Sequence, residues 1–197
     1  IKGKRNQNEL AQESSEIADF WNMLQGFQTS GKCIDRAHYR IRYMKSFRPI
    51  SAKEDIEFQE ARPILYLNMA AISSLFNSRN MNATANRSNW STIMSYLKSH
   101  SSFLGLKQDR FTILSPSGLP DYSIEIVNNE QVRKVKVNRP KALCFDYLQL
   151  KDSFGLELET EIISDRQEIM EDNQMGQKTS DAQAPDNLPQ QDLPFYI

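Results

Sequence analysis

The densest run of side chains able to do chemistry lies at residues 132–141. There Arg133, Lys134, Lys136, Arg139 and Lys141 supply five cations and no carboxylate. Val132, Val135 and Val137 alternate with them at the period of a half-buried strand, which predicts valines turned inward and most of the charges outward. Upstream, Tyr122, Ile124 and Ile126 alternate with Ser123 and Glu125, and Asn128-Asn129 is a hairpin-turn signal. The prediction is a β-hairpin with a basic outer face. Such a row of cations suits phosphates, which give affinity without reading sequence.

Other chemistry finds little support. No Gly-x-x-x-x-Gly-Lys-Ser/Thr or Gly-x-Gly-x-x-Gly loop is present, and no Cys-x-x-Cys or His-x-x-x-His pair. His38 and His100 are the only histidines, and neither has a neighbouring arrangement for nucleophilic catalysis. Cys33 and Cys144, far apart in sequence, read as ordinary reduced thiols. Asp109, Asp121 and Asp146 are a conceivable carboxylate metal site, though each also fits a turn or strand end. Tyr39 and Tyr43, beside Arg40 and Arg42, are able to stack single-stranded bases or to fill a core. No catalytic residue, metal ligand or cofactor site is assigned.

These residues need elements to position them. Ile17, Phe20, Trp21, Leu24 and Phe27 share one face of a helix predicted over 9–30, with Gly31 as its stop. Residues 39–43 alternate as a strand, and 48–61 read as charged and irregular. Ile64-Leu65-Tyr66-Leu67 is a short apolar run, and Asn68 caps a helix over 69–79 with Met69, Ile72, Leu75 and Phe76 as its stripe. A polar loop follows. Ser88 or Asn89 then caps a helix over 90–99, with Trp90, Ile93, Met94 and Leu97 on one face and Arg87, Ser91, Thr92, Ser95 and Lys98 around the outside. Residues 101–105 break it. Short strands are predicted at 110–114, 122–126, 132–137 and, buried, at 142–145.

Charge divides the chain. Residues 157–197 carry ten acidic and two basic residues, a net of −8, and residues 1–156 carry 15 acidic and 22 basic ones, a net of +7. A basic body asks for a polyanionic partner, and an acidic tail is able to shield it or recruit a second protein. Residues 1–8 read as a linker, 9–155 as one domain and 156–197 as a disordered acidic tail too poor in apolar residues to offset its ordering entropy. With no signal peptide and no apolar run of about 20 residues, the expectation is a cytoplasmic protein without a membrane partner. The sequons at Asn82, Asn86 and Asn89 then read as a polar turn. A start at Ile1 without Met is what a fragment of a longer protein would show.

Helix, polar loop, helix and basic hairpin is the element order of a winged helix, in which the second helix enters the major groove and the hairpin lies along phosphates. The run Tyr96-Leu97-Lys98-Ser99-His100-Ser101-Ser102-Phe103-Leu104-Gly105-Leu106-Lys107, with Phe111, resembles a block in the C-terminal region of primase–helicase-like replication proteins of bacterial phages and mobile elements. Phe20-Trp21, Leu65-Tyr66-Leu67-Asn68 and Ala142-Leu143-Cys144-Phe145-Asp146-Tyr147 are further matching pieces, spread over about 18–150. Ser102 stands where that family's loop has proline. The resemblance implies an accessory region following an ATP-dependent helicase or primase core that this chain lacks. Gln191-Asp192-Leu193-Pro194-Phe195 is similar to the tip of bacterial single-stranded-DNA-binding proteins, and implies docking of replication proteins through Asp192, Leu193, Pro194 and Phe195. Tyr196 and Ile197 extend past that tip and move the terminal carboxylate away from Phe195.

The expectation is therefore an α+β, winged-helix-like domain that binds DNA without catalysis inside a replication protein. Its contacts would be Arg87, Ser91, Thr92, Ser95 and Lys98 from the helix, Lys107, and Arg133, Lys134, Lys136, Arg139 and Lys141 from the hairpin arm. A protein-docking module whose basic face meets an acidic partner or its own tail is the first alternative. A metal-dependent nuclease using the aspartates is the second.

Overall fold

A computed structural model describes residues 7–80 and 89–160. Its elements run α1 (Gln7–Thr29), β1 (Tyr39–Phe47), β2 (Ile56–Asn68), α2 (Met69–Asn80), α3 (Trp90–Ser99), β3 (Phe103–Gln108), β4 (Phe111–Thr112), β5 (Tyr122–Val127), β6 (Glu130–Val135), β7 (Val137–Asn138), β8 (Lys141–Asp146) and α4 (Tyr147–Phe154). The class is α+β. Four strands form one antiparallel sheet in the order β1-β2-β8-β3, and β4-β7 and β5-β6 are separate two-stranded pairs.

The sheet is buried on both faces, and strand alternation shows how. Leu65 and Leu67 of β2 and Leu143 and Phe145 of β8 join Ile17, Phe20, Trp21, Leu24, Ile72, Ile93, Leu97 and Leu150 in one core, so this face is covered by helices. Ile64, Tyr66, Ala142 and Cys144 point the other way, into a second core with Phe47 and Phe111. A strand buried on both faces reads as a continuous apolar run. That is why 64–67 and 142–145 stand out in the sequence. Trp21 meets Phe145 edge-on, with ring centroids 5.2 Å apart.

The second core is closed by the chain's own curl. A bulge between Met44 and Ser46 bends β1, and the turn after it reaches the outer strand β3, where Ile50 N–H donates to Leu106 O over 2.8 Å. Gly105 makes this approach possible. Its φ is +137°, and a Cβ there would lie 2.6 Å from Pro49 Cβ.

The helix ends follow their signals. Lys32 N–H bonds Phe27 O at 2.8 Å and Gly31 N–H bonds Gln28 O at 2.9 Å, with Gly31 at φ 72°, which is the Schellman closure of α1. Asn89 caps α3 through Thr92 N–H at 2.9 Å. Asp146 caps α4, and its Oδ1 accepts from Leu148 N–H and Gln149 N–H.

Several elements depart from the sequence reading. Strand β2 begins at Ile56, inside the stretch expected to be irregular, because pairing with β1 continues past the bulge through Phe47 and Ile56. Strand β3 begins at Phe103, inside the 101–105 stretch expected to break the helix, and runs to Gln108. Helix α4 was not anticipated. The packed chain also runs beyond residue 155. Leu156 and Leu158 are buried, Leu158 N–H donates to Tyr147 Oη at 2.8 Å, Tyr39 Oη donates to Glu159 O, and Thr160 Oγ1 donates to Asp35 at 3.2 Å. The expected linker at 1–8 falls largely outside the described residues, and so does the acidic tail from residue 161, with Asp192, Leu193, Pro194 and Phe195.

Candidate nucleic-acid interface

Helix α3 is rotated as its periodicity requires. Ile93, Met94 and Leu97 are buried, and half-buried Trp90 sits 5.5 Å from the Phe76 ring and 6.3 Å from the Phe20 ring, centroid to centroid. Ser91, Ser95 and Lys98 are exposed, and Thr92 is half-buried with its hydroxyl on the Asn89 cap. Arg87 lies outside the described residues.

The hairpin forms where it was expected but is not packed as expected. Asn128 and Asn129 both have positive φ, 54° and 65°, the turn that matches the twist of a two-residue hairpin. Strands β5 and β6 pair in register from Tyr122↔Val135 to Val127↔Glu130. The valines do not face a core: Val132, Val135 and Val137 are all exposed. Ile124 and Ile126 are more exposed still, at 69% and 75%. The physical reason is that no described element covers the hairpin. Both faces of the main sheet are already filled, one by helices and the other by Phe111 and the curled β1. Alternation along β5 and β6 reports the period of a strand but not the presence of something to bury against.

Cross-strand register sorts the arm into two unlike faces. One carries Tyr122, Ile124 and Ile126 opposite Val135, Arg133 and Gln131, with no carboxylate. The Arg133 guanidinium lies 3.9 Å from the Tyr122 ring centroid. The other face carries Ser123, Glu125 and Val127 opposite Lys134, Val132 and Glu130. There Lys134 pairs with Glu125 at 3.3 Å, and at the root Lys136 pairs with Asp121 at 2.9 Å. The hydrogen bond from Lys136 holds the Asp121 carboxyl below its usual range. Two of the five predicted phosphate contacts are thus already partnered. Arg139 and Lys141 are exposed, and neither makes an ion pair among the described residues. Half-buried Lys107 lies 5.2 Å over the Phe47 ring. The β3–β8 register, with Lys107 opposite Ala142 and Gln108 opposite Lys141, puts Lys107 and Lys141 at the same end of the sheet.

The root of the arm is held by arginines in and just before β1. Arg40 is buried, and its Nη1 donates to Arg110 O at 2.7 Å. Arg42 pairs with Asp109 at 3.0 Å, and Thr112 N–H donates to Arg36 O at 2.8 Å. Tyr39, weighed as a stacking platform, is a buried core residue, whereas Tyr43 is exposed. Because α3 contributes to the first core and Phe111 of β4 to the second, α3 and the root of the arm pack on opposite faces of the sheet. A single flat surface presenting both is not what the chain builds. No sequence signal announced this, since it depends on which face β4 covers.

The remaining chemistry is dispersed. Asp109 is tied to Arg42, Asp121 to Lys136, and Asp146 to Arg62 at 2.6 Å and to the α4 cap. No three metal-ligating side chains gather among the described residues. A shallow cavity of about 570 Å³ is lined by Gln28, Cys33, Asp35, Arg36, Tyr39 and Thr160. Burial, then the charge of Asp35, pushes the Cys33 thiol up to about 12, so it is protonated and a poor nucleophile at neutral pH. Burial also raises the Cys144 thiol.

No described helix is long and apolar enough to cross a membrane. No family model, no curated protein and no solved structure matches this chain.

Proposed function

We propose that this chain is a non-catalytic DNA-binding module, with the β5–β6 arm and its root as the main contact. The observation that carries the reading is a two-stranded arm that no described element covers, with Arg133 on the arm and Arg139 and Lys141 beyond its root all exposed and without carboxylate partners among the described residues. A two-stranded ribbon enters a DNA groove, and cations along it neutralise phosphates on either side. Lys134 and Lys136 are secondary contacts, because each must first leave its own carboxylate.

In winged-helix terms, the arm acts as the wing and α3 offers Ser91, Thr92, Ser95 and Lys98 to base edges. Since α3 and the arm's root pack on opposite faces of the sheet, this reading puts affinity in the arm and gives α3 a supplementary contact. The resemblance to primase–helicase-like proteins supports a place in the replication apparatus of a phage or mobile element, beside an ATPase core carried elsewhere in a longer protein. On the same footing, the Asp192-Leu193-Pro194-Phe195 segment recruits a replication partner.

A gel shift with duplex DNA at two salt concentrations tests the reading. Binding weakens steeply with salt, and Arg133→Ala/Arg139→Ala/Lys141→Ala lowers affinity for all sequences alike while reducing the salt slope by nearly one unit per lost contact. Unchanged affinity and slope in the triple variant would remove the arm from the proposal.

A further inference from the structure

Phosphate neutralisation does not account for the arm's apolar surface. Ile124 and Ile126 are the most exposed large hydrophobic side chains among the described residues, and both stand on the same side of the same strand. Ile126 is two residues from the Asn128-Asn129 turn. Exposed apolar groups placed together mark a contact surface. Here the surroundings specify the partner. Gln131 lies directly across from Ile126 and Arg133 directly across from Ile124, and this face has no carboxylate. Both acids of the paired strands, Glu125 before the turn and Glu130 after it, lie on the opposite face. A protein surface would not require a face free of acids, whereas a phosphate-lined groove would.

We infer that this face of the arm enters the minor groove of duplex DNA, where Ile126, backed by Ile124, wedges between base pairs and kinks the helix. The inference rests on the DNA-binding reading and deepens it. Proteins that read the minor groove use Arg and Gln against its acceptor-rich edge and drive aliphatic side chains into a base step. This face brings those residue types together. Ile124 and Ile126 have no ring face on which an unpaired base could stack, so the arrangement favours a duplex over a single strand. Strand register limits the wedge to the side chains at 122, 124 and 126, and of these Tyr122 is covered by Arg133.

The test uses the full chain, a short duplex labelled at both ends for energy transfer, and the variant Ile124→Thr/Ile126→Thr. Threonine keeps the β-branch that suits a strand while removing apolar volume. The wild-type chain should shorten the end-to-end distance, corresponding to a kink of about 20–90°. It should also prefer a duplex with a central mismatch, already partly unstacked, by at least about tenfold. The variant should bind the matched duplex with the same salt slope but neither bend it nor prefer the mismatch. Binding without bending by the wild type, or equal bending by the variant, overturns the wedge and leaves the DNA-binding reading intact. No salt-sensitive binding of any duplex defeats both. If sedimentation without DNA shows a wild-type dimer and a monomeric variant, the isoleucines belong to a second copy of the chain and the wedge is wrong.

Discussion

The four-stranded sheet and the β5–β6 arm use similar residues to opposite ends. In the sheet, Ile64, Leu65, Tyr66 and Leu67 are at most 2% exposed, and in the arm Ile124 and Ile126 are 69% and 75% exposed. Both segments alternate or run apolar, and both form antiparallel pairs. The difference is a second layer. The sheet has helices on one face and Phe111 with the curled β1 on the other. The arm has none among the described residues. Hydrophobic stabilisation follows the area removed from water, so the sheet holds the body together while the arm keeps its apolar side chains available.

The largest expected effect sharpens that contrast at the centre of the body. Phe145 is fully buried, with Trp21 and Phe103 edge-on at 5.2 and 5.5 Å. Phe145→Ala should cost ~3–5 kcal/mol of folding stability and Leu97→Ala ~2–5 kcal/mol, measured by urea unfolding. A loss below about 1 kcal/mol in both would mean that the helix-covered face is not the principal core.

A smaller loss is expected at Asp146, where sheet and helix meet. Its carboxylate caps α4 and also pairs with Arg62, whose side chain is 45% exposed, so solvent weakens the ion pair. Asp146→Ala should cost about 1–2 kcal/mol, mostly through the lost cap. Asp146→Asn keeps the capping oxygen and should recover most of that. If the Asn variant is as unstable as the Ala variant, the ion pair rather than the cap is what matters.

Between about pH 7 and about pH 5, acid should act through the histidines of the body. His38 is buried, its Nδ1 accepts from Ile34 N–H at 3.1 Å, and burial lowers its pKa from the usual 6.5. A lowered pKa means that the unfolded chain takes up the proton first. Stability is therefore full above about 6.5 and declines as pH falls below it. Urea midpoints should drop between about pH 7 and about pH 5, and His38→Asn should flatten part of that drop. Half-buried His100, lowered chiefly by burial, supplies a further part. A midpoint independent of pH in this range would contradict the assignment of His38 as a neutral acceptor.

Much of the body is legible in the sequence because its signals are local. Gly31 ends α1, Asn89 starts α3, and Asn128-Asn129 turns the arm, each through backbone geometry or a side-chain bond reaching only a few residues. The misses share a different cause. Arg40 looks solvent-facing until the chain returns 70 residues later and Arg110 O covers it. Strand β3 is short and centred on Gly105, which reads as a break unless Pro49 is known to pack against it. Helix α4 depends on a cap at Asp146 that doubles as a strand end. For the site, the basic positions and the outer side of α3 were readable. The Lys134–Glu125 and Lys136–Asp121 pairs, and the burial of α3 and β4 on opposite faces, were not, because cross-strand neighbours and layer order are not written in local spacing.

The smallest expected effect on stability is the one that most directly tests the comparison. If the arm contributes contacts rather than cohesion, Ile124→Thr/Ile126→Thr should leave the urea midpoint unchanged within about 0.5 kcal/mol, as for substitutions away from a core. The same change from isoleucine to threonine at Ile64, which is 0% exposed, leaves a hydroxyl without water and a void beside Tyr66, and should cost ~2 kcal/mol or more. The chemistry of the two substitutions is alike, so the gap between them measures the covering layer. A double arm variant that loses as much as the Ile64 variant would show that the isoleucines are buried in solution. It would also withdraw the premise on which the wedge and the phosphate-binding arm both stand.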